Sequence, residues 1–128
     1  MPAWEDYKAE AKSRGALAFE LYVAQSTPAA EPDVLKSTLP DHLAYQARLE
    51  AEGKLVMAGP LSDESGDQMQ AMGMIIYRAA SMDEARALAD ADPMHARGAR
   101  TYVLRKWLIN EGSLTVSVQL AGQSVSLA

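Results

Sequence analysis

Residues 54–79 read KLVMAGPLSDESGDQMQAMGMIIYRA, and this stretch carries the prediction of the fold. It holds two apolar runs, at residues 54–61 and 71–79, on either side of the polar run SDESGDQMQ. Apolar runs of this length, bounded by turn-forming residues, are typical of β-strands. Because a polar loop alone separates them, we expect the two strands to pair as a hairpin with a long loop.

A helix is predicted on the N-terminal side of this hairpin, over residues 38–52. Thr38 and Asp41 have the spacing of a capping box, and Pro40 lacks only an amide hydrogen that the first helical turn leaves unused. Gly53 then follows as a typical helix stop.

A second helix and a strand are predicted on the C-terminal side. Ser81 and Glu84 form another capping box, and the helix should end near Asp92, since the residue before Pro93 is disfavoured in helical geometry. Residues 99–109 are rich in β-branched and aromatic side chains, which favours a strand.

The first predicted strand covers residues 16–24, where apolar side chains alternate with period two. Residues 25–37, QSTPAAEPDVLKS, contain two prolines and no regular period, so they predict a connection long enough to fold over a site. The element order is strand, helix, strand, strand, helix, strand. This order predicts the α+β class, as a ferredoxin-like β-α-β-β-α-β sandwich.

We expect one domain over residues 1–128, with an N-terminal helix at 1–15, a core at 16–110 and a C-terminal β-hairpin at 111–128. The last segment alternates apolar residues with Ser, Thr and Gln. A two-stranded hairpin is only marginally stable alone, so it should dock on its own sheet or on another subunit.

Composition and motifs exclude several classes of function. The chain has 17 acidic against 12 basic residues, which predicts no nucleic-acid partner. It has no cysteine, which excludes thiolate catalysis and disulfides. No apolar run has the length of a membrane span and no signal peptide is evident, so we expect a cytoplasmic protein without a membrane partner. Nucleotide, serine-hydrolase and zinc-protease motifs are absent, and we expect no cofactor and no metal.

His42 is the first candidate for chemistry. Its position on the helical wheel lies between Leu39 and Leu49, on the arc that faces the sheet. It is then either a core-edge histidine bonded to the backbone or a general base. In the first turn of the predicted helix, the positive end of the helix dipole would disfavour imidazolium and keep a neutral ring available.

Asp92 is the second candidate, because it continues the apolar stripe of the later helix by one turn. A carboxylate on a buried stripe needs a partner. Asp92 followed by Pro93 is also a favourable pair for capping a short turn. The two roles are compatible, since one carboxylate oxygen can accept an amide while the other orients an imidazole.

The remaining candidates have weaker signals. His95 is expected on the exposed side of the turn after Asp92. Gly59 and Pro60 form either a strand end or a surface where backbone approaches a ligand closely. Met69 is either core filler or a contact for an apolar ligand.

Short motifs with a fixed order and spacing run from the helix predicted at residues 38–52 to the last strand of the core. They are His42-Leu43-Ala44-Tyr45, Gly53-Lys54-Leu55, Ala58-Gly59-Pro60-Leu61, Ser81-Met82-Asp83-Glu84-Ala85, Asp92-Pro93-Met94 with Gly98, and Trp107. Together, over about residues 17–107, they resemble the YCII-related (YciI-like) domain family.

The resemblance implies a ferredoxin-like subunit that dimerises through its sheet into an α/β barrel. It also implies an active site on a histidine and an aspartate, which are His42 and Asp92 here, with Gly59, Pro60 and Met94 as predicted pocket residues. Some relatives are linked to dehydrochlorination of a chlorinated hydroxyhydroquinone, and others are fused to regulatory proteins. Met94 replaces the usual aromatic residue, which changes the expected shape of the pocket.

Three functions follow as hypotheses. The first is a cofactor-independent lyase or isomerase-like enzyme for a small ring compound, phenolic or lactone-type, with His42 as general base and Asp92 holding its tautomer. The second is a small-molecule-binding or regulatory module without turnover, and the third a monooxygenase-like activity. Both faces of the predicted sheet are apolar, so we expect a homodimer or a higher homo-oligomer.

Overall fold

The structure, a computed structural model, describes all 128 residues. The chain forms two compact units, a core unit at Glu20–Trp107 and a terminal unit made of Met1–Phe19 and Leu108–Ala128. The elements in chain order are α1 (Trp4–Ser13), β1 (Phe19–Pro28), α2 (Pro32–Ala51), β2 (Leu55–Ser62), β3 (Met69–Tyr77), α3 (Met82–Ala91), α4 (Pro93–Ala96), β4 (Arg100–Ile109), β5 (Val116–Gln119) and β6 (Ser124–Leu127).

The main sheet has the strand order β2-β3-β1-β4, and β3 pairs antiparallel with both β1 and β2. With α2 following β1 and α3 following β3, this is the ferredoxin-like arrangement. The predicted α+β fold class is therefore confirmed. The hairpin predicted at residues 54–61 and 71–79 is confirmed as β2 and β3, and every strand end lies within two residues of its predicted position.

The hydrophobic core lies between one face of this sheet and the helices α2 and α3. Burial of these apolar side chains is the main force that holds the layers together. The buried cluster consists of Tyr22, Ala24, Tyr45, Leu49, Ile75, Tyr77, Ala85, Ala89 and Leu104.

The structure corrects the bounds of the first strand, predicted at residues 16–24. β1 begins at Phe19 and continues to Pro28, because Gln25 and Ser26 pair with Met74 and Gly73 of β3. The predicted connection at residues 25–37 is therefore wrong. Only three residues separate β1 from α2, so no long segment is available there to fold over a site.

The predicted start of the second helix at Thr38 is also wrong, because α2 begins at Pro32. The hydroxyl of Thr38 donates to the carbonyl of Val34 at 2.7 Å, so it satisfies the preceding turn instead of capping a new helix. Pro40 lies inside the helix. His42 thus lies nearly three turns after the start of α2, beyond the first turn where the dipole acts, and the dipole argument for a neutral ring fails.

The predicted N-cap and end of the later helix are confirmed, while the Glu84 side chain of the predicted capping box accepts from the amide of Ala80 instead of that of Ser81. The Ser81 hydroxyl accepts from the amide of Glu84 at 3.1 Å, and α3 ends at Ala91. Asp92 follows as the last cap of α3 and the first cap of α4, with extended backbone. Its side chain is therefore fixed at the junction of the two helices.

The terminal unit contains α1 and the hairpin β5–β6, and both predicted extensions are confirmed as elements. The two hairpin strands pair from Val116 with Leu127 to Gln119 with Ser124. Several apolar side chains of this hairpin are exposed, among them Leu120 at 87%. None of the chain's helices combines the length and the apolar composition that a membrane span needs.

Candidate active site

Helix α2 turns one face toward the core and places His42 on it. Tyr45 and Leu49, three and seven residues after His42, are buried on the same face. The hydroxyl of Tyr45 donates to the carbonyl of Leu88 in α3 at 2.7 Å, which ties the two helices together. This contact fixes the separation of the two helices near His42.

Asp92 enters the site from the junction of α3 and α4. Its side chain is only 1% exposed, and its Oδ1 accepts from the amide of Met94 at 2.9 Å. This bond caps α4, as predicted. The cap uses one acceptor position of the carboxylate and leaves others for a second partner.

The structure brings His42 and Asp92 together. The Nδ1 atom of His42 lies 2.8 Å from each carboxylate oxygen, which is hydrogen-bond distance. Because a carboxylate accepts, Nδ1 carries the hydrogen and Nε2 carries the lone pair of the neutral ring. Nε2 bonds to no protein group, and the side chain is 15% exposed. This arrangement suits proton abstraction, while the catalytic roles remain a prediction.

The negative charge of Asp92 acts on two tyrosines of the core. Burial is the main cause that raises the pKa of Tyr45, and the charge of Asp92 raises it further. The same two causes, in the same order, raise the pKa of Tyr77. Both hydroxyls therefore stay neutral over the physiological range.

A cavity of about 420 Å³ opens beside His42. The three predicted pocket residues Gly59, Pro60 and Met94 all line it, and so does Met69. Most of the other walls are apolar. They are formed by Leu39, Leu43, Ala58, Ala71, Met72, Met74 and Ile75, with Gln46 and Gly73.

The expectation that His95 lies on the exposed side of its turn is wrong. Its ring is half-buried and packs against the ring of Tyr102, with 4.7 Å between the centroids and the ring planes tilted by 43°. Nδ1 lies 2.7 Å from the carbonyl of Ala89, and Nε2 lies 2.9 Å from the hydroxyl of Ser26. Both ring nitrogens are therefore used by the protein, although Ser26 itself lines the cavity.

Three polar cavity residues, Ser26, Gln46 and Arg100, are missing from the sequence prediction. Ser26 is 2% exposed and lies in the part of β1 that the prediction treats as a connection. The available signal is the strand period: continued past Ala24, it places Ser26 on the same face as Tyr22. Arg100 had no local signal, because its partner Ser26 is 74 residues away in the sequence.

No three His, Asp or Glu side chains of the chain are grouped as a metal site would require. The sequence is similar to that of YjpA, an uncharacterized protein of Bacillus subtilis, which is 33% identical over 70 residues that cover 55% of this chain and 75% of YjpA.

The fold is similar to that of 5-chloro-2-hydroxyhydroquinone dehydrochlorinase (TftG) from Burkholderia phenoliruptrix, solved in complex with 2,5-dihydroxybenzoquinone. The TM-score is 0.50 and the identity 22%, with 68% of this chain and 92% of that chain covered. At this identity the likeness shows the fold. Residues 18–108 match the YCII-related domain, so the predicted resemblance is confirmed. The chain belongs to the YCII-related domain family.

Proposed function

We propose that the chain is a cofactor-independent lyase or isomerase-like enzyme that acts on a small ring compound. His42 is the general base, and Asp92 holds the ring of His42 in its reactive tautomer. The observation that carries the proposal is that His42 lines the cavity with its Nε2 unbonded, while its Nδ1 is bonded to a buried carboxylate.

The proposed step needs no group beyond those in the cavity. His42 Nε2 takes a proton from an acidic carbon or hydroxyl of the substrate, and the bonding electrons remain on the ring. In a lyase reaction these electrons form a new double bond as an anion leaves. In an isomerase reaction the imidazolium returns the proton at another carbon. Asp92 stabilises the imidazolium in both cases, because its carboxylate accepts the Nδ1 hydrogen.

The likeness to TftG supports this reaction class. TftG is a dehydrochlorinase of a chlorinated hydroxyhydroquinone, and its structure was solved with a dihydroxybenzoquinone. Loss of hydrogen chloride from such a ring requires a base and no redox partner. The cavity of about 420 Å³, with mostly apolar walls, has a size that suits one substituted ring.

Turnover of a panel of phenolic, chlorinated phenolic and lactone compounds tests the proposal. We expect His42→Asn to lower the rate by about 10²–10⁴, because the Asn amide can still donate to Asp92 but has no basic nitrogen. Asp41→Asn is the matched control, since Asp41 is an exposed neighbour that pairs with Arg97. Ligand binding without turnover would identify a binding or regulatory module. Oxygen consumption would identify a monooxygenase.

We also propose that two chains associate through the sheet face that the helices leave uncovered. On that face Met57 of β2 lies beside Ile76 of β3, which is already buried in the single chain, and β4 adds Val103 and Trp107. Met57 and Val103 are each 53% exposed and Trp107 is 42% exposed. A second copy would remove this apolar surface from water.

Light scattering tests this assembly. We expect twice the 13.8 kDa mass of one chain at micromolar concentration. Val103→Asp should shift the mass toward one chain, while Val34→Asp on α2 should not, because Val34 lies on a helix. A full-length protein that is monomeric at this concentration would contradict the proposal.

A further inference from the structure

A cation without an acidic partner lies on the cavity wall. Arg100 opens β4 and lines the cavity, and no carboxylate lies within ion-pair distance of it. Burial lowers the pKa of Arg100, and the charge of Asp92 only partly opposes this. By contrast, Arg97 pairs with Asp41 at 2.6 Å outside the cavity. A partly desolvated cation without a counter-charge favours an anionic ligand.

Neutral groups hold the guanidinium of Arg100 in place. Its Nε donates to the hydroxyl of Ser26 at 2.9 Å, and its Nη2 donates to the carbonyl oxygens of Ser26 at 2.7 Å and Ala71 at 2.9 Å. Ala71 lies where β3 bulges against β2, and it has a left-handed φ of 65°. Bulges occur frequently beside active sites, because they redirect backbone groups. Three bonds therefore fix the orientation of the guanidinium.

A second layer fixes Ser26 itself. The carbonyl of Ala89 accepts from Nδ1 of His95, so Nε2 of His95 is the acceptor of the neutral ring. The Ser26 hydroxyl then donates to His95 and accepts from Arg100. His95 is therefore a positioning residue that acts on the cavity through Ser26.

The remaining nitrogen of Arg100, Nη1, donates to no protein acceptor. We propose that Arg100, held in place by Ser26, forms an anion subsite whose free Nη1 binds a carboxylate or phenolate oxygen of the ligand. The ligand is thus a small ring compound with one ionised oxygen. Its oxygen lies at Arg100 and its ring lies against the apolar walls that also surround His42. This inference deepens the proposed function, on which it rests, by naming the substrate class of the same cavity.

Binding of two isosteric probes tests the subsite without any need for turnover. Benzoate and benzamide have the same shape, but only benzoate carries a charge. We expect benzoate to bind the wild-type protein at least about tenfold more tightly in a protein-observed NMR titration, because bonds to charged groups are the stronger ones. We expect added salt to reduce this preference. Equal affinities for the two probes would overturn the proposal.

Matched variants assign the preference to its residue. Arg100→Gln should abolish the preference for benzoate, while Arg97→Gln should retain it, although both variants lose one positive charge. A preference that persists in folded Arg100→Gln would overturn the proposal. Should Arg100→Gln fail to fold, Arg100→Lys, which keeps the charge, should retain the preference and its salt dependence. Loss of the preference in folded Arg100→Lys counts against a charge-based subsite.

The two proposals can fail separately. His42→Asn should lose turnover and keep the preference for benzoate, because its change is at the base. A wild-type protein that prefers benzoate but turns over no compound would refute the enzyme and leave the subsite. Turnover that needs His42, with equal binding of both probes, would refute the subsite and leave the enzyme.

Discussion

The two histidines of the chain lie near the same cavity and are used in opposite ways. His42 binds a buried carboxylate through Nδ1 and keeps Nε2 free beside the cavity. His95 has both nitrogens bound by the protein, at Ala89 and Ser26. Residue type is therefore a poor guide to chemistry, because the free nitrogen decides which ring can accept a substrate proton.

The charged groups on the two sides of the cavity also differ in the partners that the protein gives them. On the His42 side the charged group is Asp92, which is buried and has two donors, His42 and the Met94 amide. On the Ser26 side the charged group is Arg100, whose acceptors are all neutral. The carboxylate of Asp92 thus has its donors from the protein alone, whereas Arg100 keeps one donor, Nη1, without an acceptor. This difference supports the proposal that proton transfer occurs on the first side and that the second side binds the anionic oxygen of the ligand.

The largest expected effect comes from Asp92→Asn. The amide keeps the shape and can still cap α4, because Asn and Asp are about equal as N-caps. It removes the charge that stabilises the imidazolium, so we expect the turnover rate to fall by about 10²–10⁴. Steady-state kinetics measures the change, and Asp90→Asn, an exposed carboxylate of α3, is the control. Equal rates for both variants would show that the carboxylate has no role in the reaction.

The next largest effect concerns the Ser26 side of the cavity and should appear in the free energy of unfolding. Ser26→Ala removes the bridge between His95 and Arg100 and leaves two polar groups unpaired in a half-buried place. We expect it to lower the free energy of unfolding by about 1–3 kcal/mol, measured by urea denaturation. Thr27→Ala should change it by about 0.5 kcal/mol or less, since its hydroxyl makes only a 3.4 Å contact near the surface. Similar losses in both variants would remove the reason to treat Ser26 as a structural bridge.

The fold class could be predicted from the sequence because the patterns that indicate its helices and strands are local. Apolar stripes on two helices predicted that His42 and Asp92 lie toward one sheet face, and this does not depend on where α2 begins. The start of α2 was harder, since both Pro32 and Pro40 suit a first helical turn. The extension of β1 to Pro28 depends on pairing with β3, which no local pattern contains.

Ser26 and Arg100 were missed for the same reason as the extension of β1, because their contacts join residues that are far apart in the sequence. Ser26 meets His95 and Arg100 across 69 and 74 residues of sequence. No spacing rule connects such positions before the sheet is assembled. The cap at Asp92, in contrast, involves the amide only two residues later and was visible in the Asp-Pro pair.

A smaller effect distinguishes the role of His95 from that of His42. His95→Leu should lower the free energy of unfolding by about 1–2 kcal/mol, because Ser26 and the Ala89 carbonyl each lose a partner. In the remaining folded protein, kcat should stay unchanged while KM for an anionic substrate rises, since Arg100 loses its support. His42→Asn should show the reverse, with a lower kcat. A fall in kcat for His95→Leu at constant KM would place His95 in the proton transfer itself.

The smallest effect is expected from substitutions of Tyr45 and Tyr77, whose pKa values the charge of Asp92 raises. Tyr45→Phe should cost about 1 kcal/mol, because it removes the bond to the Leu88 carbonyl. Tyr77→Phe should change stability by about zero or raise it slightly, since its buried hydroxyl has no hydrogen-bond partner.

The pH dependence of stability sharpens this last contrast. Folding raises the pKa of Tyr77, mainly through burial, so the folded state favours the protonated form. The folded protein therefore loses stability as the pH rises above the unfolded tyrosine pKa of about 10. Tyr77→Phe removes this titration, and its urea midpoint should fall less steeply than that of the wild type between about pH 10 and 11. Tyr45→Phe should reduce the slope as well, because the pKa of Tyr45 is also raised, but from a lower stability at neutral pH. Identical slopes for Tyr77→Phe and the wild type would mean that the hydroxyl of Tyr77 reaches water in solution.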